Sequence, residues 1–401
     1  MKTIEKKYLL PFALVTSLFL LWGLANNMTD TLLSAFRKIM NMSDTRTAFI
    51  QMAFYGAYFC VALPAAMFIR RYSFKSGVIL GLALYATGAI LFLPAAKAAS
   101  YTFYLIAIYI MASGCSVLET TANPYIMSMG SAETATRRLN IAQSFNPIGS
   151  IAGILMSKYF ILQEVSLYSI SGTYVSLGIV LVFLMTVMIF SKMPKGHSEG
   201  TDSSLLSTFG RLSRNKDYMF GIVAQFFYVG AQIGVWSYTI RIVKEEMKIH
   251  EAEASTIYLA SVVAFCLSRF VYTWLMKYIK PSKLLLFSGI TSTICATAVS
   301  QGQHTGWFMI IMLIAISLFM SLMFPTIYGI ALGSVVKSKT PTDAKIGASG
   351  LIMSILGGAL LTPLQGYVSD NSNIYTSYLV PAICFFIVLL YSIYTIKRKI
   401  D

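Results

Sequence analysis

Two carboxylates lie in segments of the sequence that are long and apolar enough to cross a lipid bilayer. Asp30 ends the stretch LFLLWGLANNMTD, and Glu119 lies within YLIAIYIMASGCSVLETTANPYIM. A carboxylate at membrane depth is energetically costly, so such residues usually line a cavity, an ion path or a proton relay. Asp30 and Glu119 are therefore the first candidates for binding and releasing a proton.

Glu119 also has a structural interpretation. Arg269 is the one arginine deep inside an apolar segment, and it could form a buried ion pair with Glu119. Asn123 follows Glu119 by one helical turn, and Pro124 then leaves a backbone carbonyl without its helical donor. An acid, an amide and a proline on one helix favour a polar cavity over a purely structural ion pair.

A polar face accompanies Asp30 on the same predicted helix. Trp22, Asn26, Asn27 and Asp30 follow one another at spacings that put them on one side of a helix. Amides also hydrogen-bond between membrane helices, which is the alternative interpretation of Asn26 and Asn27. The acid within the cluster favours a cavity lining.

The segment RRLNIAQSFNPIGSIAG carries further amides at membrane depth. Asn140, Gln143 and Asn146 share one stripe of a predicted helix. Amides donate and accept hydrogen bonds, which suits the hydroxyl groups of a sugar. Gly149 and Gly153 form a small-residue face of the kind that lets two helices pack closely.

The segment AQFFYVGAQIGVWSYTIR combines amides with aromatic rings, because Gln225, Tyr228, Gln232 and Trp236 align on one face. Aromatic residues also form belts at membrane interfaces, but a belt does not account for two glutamines at bilayer depth. Amides around a rim and flat aromatic faces are what a polyol requires. This face is a second predicted part of a sugar site.

The elements that position these residues follow from the composition. Of the 401 residues, 56% are hydrophobic and only 12% are charged, against about 25% charged in soluble domains. A membrane-spanning helix needs about 20 mostly apolar residues. Twelve continuous apolar stretches meet that length, which predicts an all-α polytopic membrane protein. They are about 8–32, 46–69, 76–96, 101–128, 138–162, 170–191, 217–241, 254–277, 282–301, 306–331, 346–369 and 374–396.

The formal net charge of +15 reflects membrane topology rather than nucleic-acid binding. If the N-terminus is cytoplasmic, 22 of the 31 Lys and Arg residues fall in cytoplasmic loops and eight fall outside. Positive charge accumulates on the cytoplasmic side of membrane proteins. We therefore expect both termini in the cytoplasm and contact with anionic membrane lipid.

One polar segment divides the chain into two halves of six predicted spans. We predict domains at 1–191 and 217–401, joined by a cytoplasmic linker at 192–216. Apolar residues of the linker fall at helical spacing beside two arginines, which predicts a short helix on the inner membrane surface. NPYIMSMG closes span four and FPTIYGIALG closes span ten, in corresponding positions. Two repeated six-helix bundles around a central site are a recurrent transporter design.

The sequence contains no pattern typical of a metal site or an enzyme active site. The three histidines lie in predicted loops, and the cysteines lie in predicted spans without metal-site spacing. Nucleophile elbows and phosphate-binding glycine loops do not occur. The first apolar run does not resemble a cleavable signal peptide. We therefore expect no enzyme activity and no cofactor other than the proton as coupling ion.

Several motifs together resemble one known family. LLWGLANNMTDTLL, FYGAYFCVALPAAM, VLETTANPY, RLNIAQSFNPIGS, AQFFYVGAQIGVWSYTIR, MSLMFPTIYGIALG and LTPLQGYVSD are similar to the L-fucose–proton symporter family of the major facilitator superfamily. The similarity extends over about residues 8–396. It implies proton-driven uptake across a bacterial inner membrane by two six-helix bundles that rock about a central sugar site.

The resemblance also implies roles for particular residues. By motif, Asp30 and Glu119 match the family's coupling acids, and Asn27, Gln143 and Asn146 match its cavity amides. Two features depart from the pattern. Pro147 follows Asn146 where a small hydroxyl residue is more usual, and the hairpin MFIRRYSFKSG lacks the acid of the superfamily's loop signature.

The sequence thus favours one-to-one symport of a proton and a neutral monosaccharide, L-fucose or a related hexose, by a monomer. A proton-coupled drug antiporter is an alternative, but a drug pocket would be mostly apolar. A non-transporting sugar sensor or channel is another, although sensors usually carry an added soluble domain.

Overall fold

The computed structural model describes Ile4 and residues 6–40, 44–161, 166–193, 204–302, 305–336 and 343–400. Side chains of residues 6, 26, 29–38, 44–49, 51, 158, 251 and 252 within that part are not described. The helices of the first half are α1 Leu9–Ile39, α2 Asp44–Arg71, α3 Phe74–Ile90, α4 Phe92–Lys97, α5 Tyr101–Ser128, α6 Ala135–Gln143, α7 Asn146–Met156 and α8 Leu167–Phe190. Then follow α9 Leu205–Arg214, α10 Lys216–Met247, α11 Glu251–Leu275, α12 Pro281–Gln301, α13 Trp307–Met320, α14 Met323–Val336, α15 Ala344–Met353, α16 Leu356–Asn371 and α17 Leu379–Arg398.

Local sequence explains where several helices begin. Ser73 and Ser100 accept hydrogen bonds from backbone N–H groups in the first turns of α3 and α5. Asn215 does the same at the start of α10, and Pro281 occupies the first turn of α12. These residues satisfy or remove the donors that a helix start leaves without a partner.

Ten helices in the described part of the chain are long and apolar enough to cross a membrane, and Leu9–Ala25, the part of α1 before the first side chain that is not described, is a shorter apolar stretch. The sequence predicts twelve spans. The predicted first span falls on α1, where several side chains are not described. The predicted fifth span is interrupted, because its residues form α6, α7 and a π-helical turn at Ser157–Ile161.

Prolines follow two interruptions in predicted membrane-spanning segments. Pro147 and Pro325 have no N–H, so each removes one hydrogen bond to the carbonyl four residues earlier. The chain leaves helical geometry between Gln143 and Asn146, and again between Met320 and Met323. Pro124, by contrast, lies inside the continuous helix α5.

Contacts divide the chain into two compact units. The first contains Met1–Ser131, Ile148–Ser203 and Thr342–Met353. Within it α5 packs against α2 and α3, α3 packs against α8, and α15 packs against α2 and α5. This unit holds Glu119.

The second unit contains Ala132–Pro147, Ser204–Pro341 and Ser354–Asp401. Within it α10 packs against α14, α16 and α17, and the short α6 packs against α14 and α11. The domain limits 1–191, 192–216 and 217–401 stay a prediction, since residues 194–203 of the linker lie outside the described part. The linker's predicted short helix is confirmed as α9, and its position on the membrane surface stays a prediction.

Glycines let helices cross closely in each unit. A Cβ atom on Gly149 of α7 would overlap the Leu20 carbonyl of α1, and one on Gly153 would lie 2.7 Å from the Leu24 carbonyl oxygen. In the second unit, a Cβ atom on Gly357 of α16 would overlap the Phe226 carbonyl of α10. The predicted packing function of Gly149 and Gly153 is confirmed.

Candidate functional site

Glu119 is buried in the centre of α5, with only 2% of its surface exposed. Neither carboxylate oxygen has a hydrogen-bond partner among the groups that the structure describes. A buried ionised carboxylate without a partner costs several kcal/mol or more. The arrangement therefore suits the protonated, neutral carboxyl.

Three side chains that the sequence patterns did not single out as a group meet beside Glu119. The Trp22 indole N–H donates a hydrogen bond to the Tyr58 hydroxyl at 2.5 Å. Tyr58 is 1% exposed, and its hydroxyl lies beside the Cys115 thiol. Cys115 precedes Glu119 by one turn of α5, and Tyr58 lies close enough to Glu119 for electrostatic interaction. A tyrosine in an apolar run gives no periodic signal, so the sequence pattern does not identify Tyr58 as a site residue.

The other predicted site residues of this unit are unevenly described. Asn123 is fully buried one turn after Glu119, and its amide lies next to the Glu119 carboxyl. Asn27 donates to the Gly23 carbonyl of its own helix at 3.2 Å. The side chains of Asn26 and Asp30 lie outside the described part of the structure, so their functions stay predictions.

The break between α6 and α7 separates the predicted amide stripe. Gln143 is the last residue of α6 and is 2% exposed, whereas Asn146 begins α7 and is half-buried. Asn140 donates to the Thr326 hydroxyl of α14 at 3.3 Å and to the Thr136 carbonyl at 2.9 Å. Asn140 thus connects two helices, while Gln143 and Asn146 flank the break.

The four predicted residues of α10 have different surroundings. Gln225 is fully buried, and neither its side-chain oxygen nor its nitrogen has a partner among the described groups. Tyr228 is also fully buried and donates to the Met320 carbonyl at 3.2 Å. Gln232 is half-buried. Trp236 donates to the Ser317 hydroxyl at 3.3 Å.

Arg269 of α11 lies near this face, where it bonds to backbone carbonyls. It donates from Nε to the Ser321 carbonyl at 2.6 Å and from a terminal nitrogen to the Gln143 carbonyl at 3.1 Å. Its guanidinium carbon lies 4.5 Å from the centre of the Phe265 ring. Phe265 in turn packs edge-on against Trp236, with ring centres 4.9 Å apart. Backbone acceptors leave no pattern in a sequence, so these contacts could not be predicted from it.

No cluster of three or more His, Cys, Asp or Glu side chains that could hold a metal ion occurs among the described residues. The first unit supplies a carboxyl, amides and hydroxyls, and the second unit supplies amides, hydroxyls and a guanidinium. They can exchange a proton and hydrogen-bond a neutral polar molecule.

Similarity to known proteins assigns the class. The sequence matches the Major Facilitator Superfamily over residues 15–355. It is 39% identical to an L-fucose-proton symporter of Haemophilus influenzae over 97% of each chain. It is 34% identical to an L-fucose-proton symporter of Escherichia coli, over 97% of this chain and 93% of that protein. A glucose/galactose transporter of Brucella abortus is 29% identical over 97% of this chain and 95% of its own.

Solved structures agree with the sequence comparison. A crystal structure of a major facilitator superfamily transporter in the outward conformation superposes with a TM-score of 0.87 at 32% identity, covering 97% of this chain and 99% of that one. A proton:xylose symporter superposes with a TM-score of 0.79 at 11% identity, over 96% of this chain and 94% of that one, which shows the shared fold alone.

The chain therefore belongs to the major facilitator superfamily, a family of membrane transporters. Within it, the chain groups with L-fucose–proton symporters and glucose/galactose transporters. The predicted all-helical fold is confirmed, as is the expectation that the protein is not an enzyme.

Proposed function

We propose that this protein imports a neutral monosaccharide together with one proton, and that L-fucose is its substrate. Glu119 carries the proposal, because a buried carboxyl without a described partner suits a group that gains and loses a proton. The two L-fucose-proton symporters of 39% and 34% identity support the choice of sugar. D-glucose and D-galactose are the next sugars to test, because a glucose/galactose transporter is 29% identical to this chain.

The proposed cycle uses neutralisation to permit closure. Asp30 takes a proton from outside, which removes the cost of enclosing a charge in a dry cavity. Sugar bound by the amides and aromatic rings then favours the occluded state, because that state makes more contacts with it. Glu119 accepts the proton and releases it inward. A membrane potential of 100 mV is worth about 2.3 kcal/mol per charge, or about fiftyfold accumulation at one proton per sugar.

The remaining features follow from the same proposal. The protein acts as a monomer in a bacterial inner membrane, with both termini in the cytoplasm. The basic loops contact anionic lipid there. Amides able to bind sugar hydroxyls are Asn26, Asn27, Asn123, Gln143, Asn146, Gln225 and Gln232, and Tyr228 and Trp236 supply aromatic faces.

Proteoliposomes test the proposal directly. An inward proton gradient should drive accumulation of labelled L-fucose and alkalinise the external medium. Glu119→Gln should abolish accumulation but retain sugar counterflow, because a permanently neutral site can still change conformation with sugar bound. Asp30→Asn should abolish the sugar-dependent proton signal.

Different outcomes would contradict different parts of the proposal. If the protein accumulates D-glucose or D-galactose but not L-fucose, the proposed substrate is wrong and the proposed mechanism stands. A proton leak driven by amphiphilic drugs would support the antiporter, and sugar binding without flux would support a sensor. Equal loss of counterflow and accumulation in Glu119→Gln would give Glu119 a structural function.

A further inference from the structure

Two backbone carbonyls in the second unit lose their helical donors to proline. In a continuous helix, the N–H of residue 147 would donate to the Gln143 carbonyl, and that of residue 325 would donate to the Ser321 carbonyl. Proline has no N–H, so neither bond can form. Buried carbonyl groups without donors are costly, and nearly all in native proteins find another partner.

One side chain replaces both donors. Arg269 binds the Ser321 carbonyl at 2.6 Å and the Gln143 carbonyl at 3.1 Å. A guanidinium group offers five donors in a rigid plane, which lets it reach two acceptors at once. Arg269 therefore joins α6 to the end of α13 at the points where both segments are broken.

The same geometry accounts for a buried positive charge. Arg269 is 3% exposed, and its two acceptors lie at the C-terminal ends of α6 and α13. The C-terminus of a helix carries a partial negative charge that stabilises a nearby cation. The Phe265 ring at 4.5 Å adds a cation–π contact. Helix ends and an aromatic face thus stabilise the guanidinium group where a carboxylate would ordinarily do so.

Arg269 is linked to both kinds of predicted sugar-binding residue, directly to Gln143 and through Phe265 to Trp236. Its bond to Gln143 fixes the end of α6, three residues before Asn146. Through Phe265, it supports the ring of Trp236, whose indole N–H is bound to Ser317. A small shift of Arg269 would therefore displace an amide and an aromatic ring together.

We propose that Arg269 is a positioning residue for sugar binding: it replaces the donors that Pro147 and Pro325 remove, and so holds Gln143, Asn146 and Trp236 in their binding arrangement. The proposal rests on the proposed function for the identity of the ligand. Lysine cannot substitute, because its ammonium group is a compact charge without the planar fork that spans two carbonyls.

The test combines Arg269 variants with restoration of a backbone donor. Arg269→Gln and Arg269→Lys should each raise the KM for L-fucose at least about tenfold, the effect of losing charge-assisted hydrogen bonds, with a smaller change in kcat. Pro147→Ala returns an N–H that can donate to the Gln143 carbonyl. When Pro147→Ala is added to Arg269→Gln, the KM for L-fucose should fall at least about threefold relative to Arg269→Gln alone, since a neutral hydrogen bond is worth about 1 kcal/mol.

Pro363→Ala is the matched control, because Pro363 lies inside α16 of the same unit. Pro363 also leaves a carbonyl without a donor, but Arg269 bonds to the Ser321 and Gln143 carbonyls instead. Pro363→Ala should recover nothing in the Arg269→Gln background. Equal recovery by the two alanine variants, or an unchanged KM in Arg269→Gln, would overturn the proposal.

Backbone hydrogen exchange separates this proposal from the proposed function. Measured without sugar, exchange at residues 143–150 should be faster in Arg269→Gln and slower again when Pro147→Ala is added. If the wild type binds none of the three sugars, the proposed function fails while the exchange result still tests the function of Arg269 at the break. Unchanged exchange in Arg269→Gln would remove the structural basis of the proposal.

Discussion

The indole N–H of Trp22 donates to the hydroxyl oxygen of Tyr58 at 2.5 Å. Because Tyr58 accepts this bond, its own proton is directed to another group. The groups of α5 near the Tyr58 hydroxyl are the Cys115 thiol and, one turn later, the Glu119 carboxyl. Tyr58 therefore connects the polar face of α1 with the buried acid of α5 inside one unit.

Tyr58→Phe tests that connection while keeping the ring. The variant removes the Tyr58 hydroxyl, a polar group within electrostatic reach of an ionised Glu119. We expect proton-driven uptake to slow by about ten- to hundredfold and counterflow at constant pH to change much less. Tyr104→Phe is the control, because it removes a hydroxyl bound to Ser171 in the same unit. Equal losses in uptake and counterflow would point to a packing function.

Gln225→Leu should separate stability from binding. The Gln225 amide is fully buried without a partner among the described groups, so replacing it with an apolar side chain of similar size removes an unsatisfied polar group. We expect the sugar-free protein to gain up to about 1–2 kcal/mol and sugar affinity to fall about tenfold. Thermal unfolding in detergent and equilibrium binding measure the two effects. A loss of stability would show that the amide has a structural partner.

Lys345 provides a second interaction between a basic residue and a helix end. Its ammonium group lies 3.4 Å from the Ile69 carbonyl near the end of α2 and 5.0 Å from the centre of the Phe74 ring. The α2–α3 hairpin lacks the acidic residue of the superfamily's loop signature. Lys345 of α15 contacts this hairpin through a backbone carbonyl and an aromatic ring instead. In a double-mutant cycle, Lys345→Met and Phe74→Leu should couple by about 0.5–2 kcal/mol in unfolding free energy. Additive effects would mean that the contact contributes nothing to stability.

Gly149→Ala should destabilise the protein, since the added methyl group would overlap the Leu20 carbonyl. Overpacking of this kind costs about 1–3 kcal/mol. Gly333→Ala is the matched control, because a Cβ atom at Gly333 of α14 would meet nothing within 4 Å. There the substitution should stabilise the helix by up to about 1 kcal/mol. Thermal unfolding of both variants compares them, and equal melting temperatures would contradict the close crossing.

The helical membrane architecture and the family could be predicted from the sequence, because apolar runs and several motifs carry them directly. The break at Pro147 was not predicted, since the apolar pattern continues through it. The surroundings of Tyr58 and Arg269 depend on tertiary packing and on backbone acceptors, neither of which leaves a periodic signal. Arg269 illustrates the limit: the sequence indicated a buried cation, and a carboxylate was the natural partner to expect.

The burial of α5 has a consequence for how the sequence can vary. Every residue from Ser113 to Met127 is buried, so this stretch presents no side to lipid. In α8, by contrast, Ile179 and Phe183 are exposed while Leu177 and Leu181 are buried. A saturation mutagenesis scan should therefore record an unbroken block of intolerance around Glu119, and tolerance that rises and falls with each helical turn in α8.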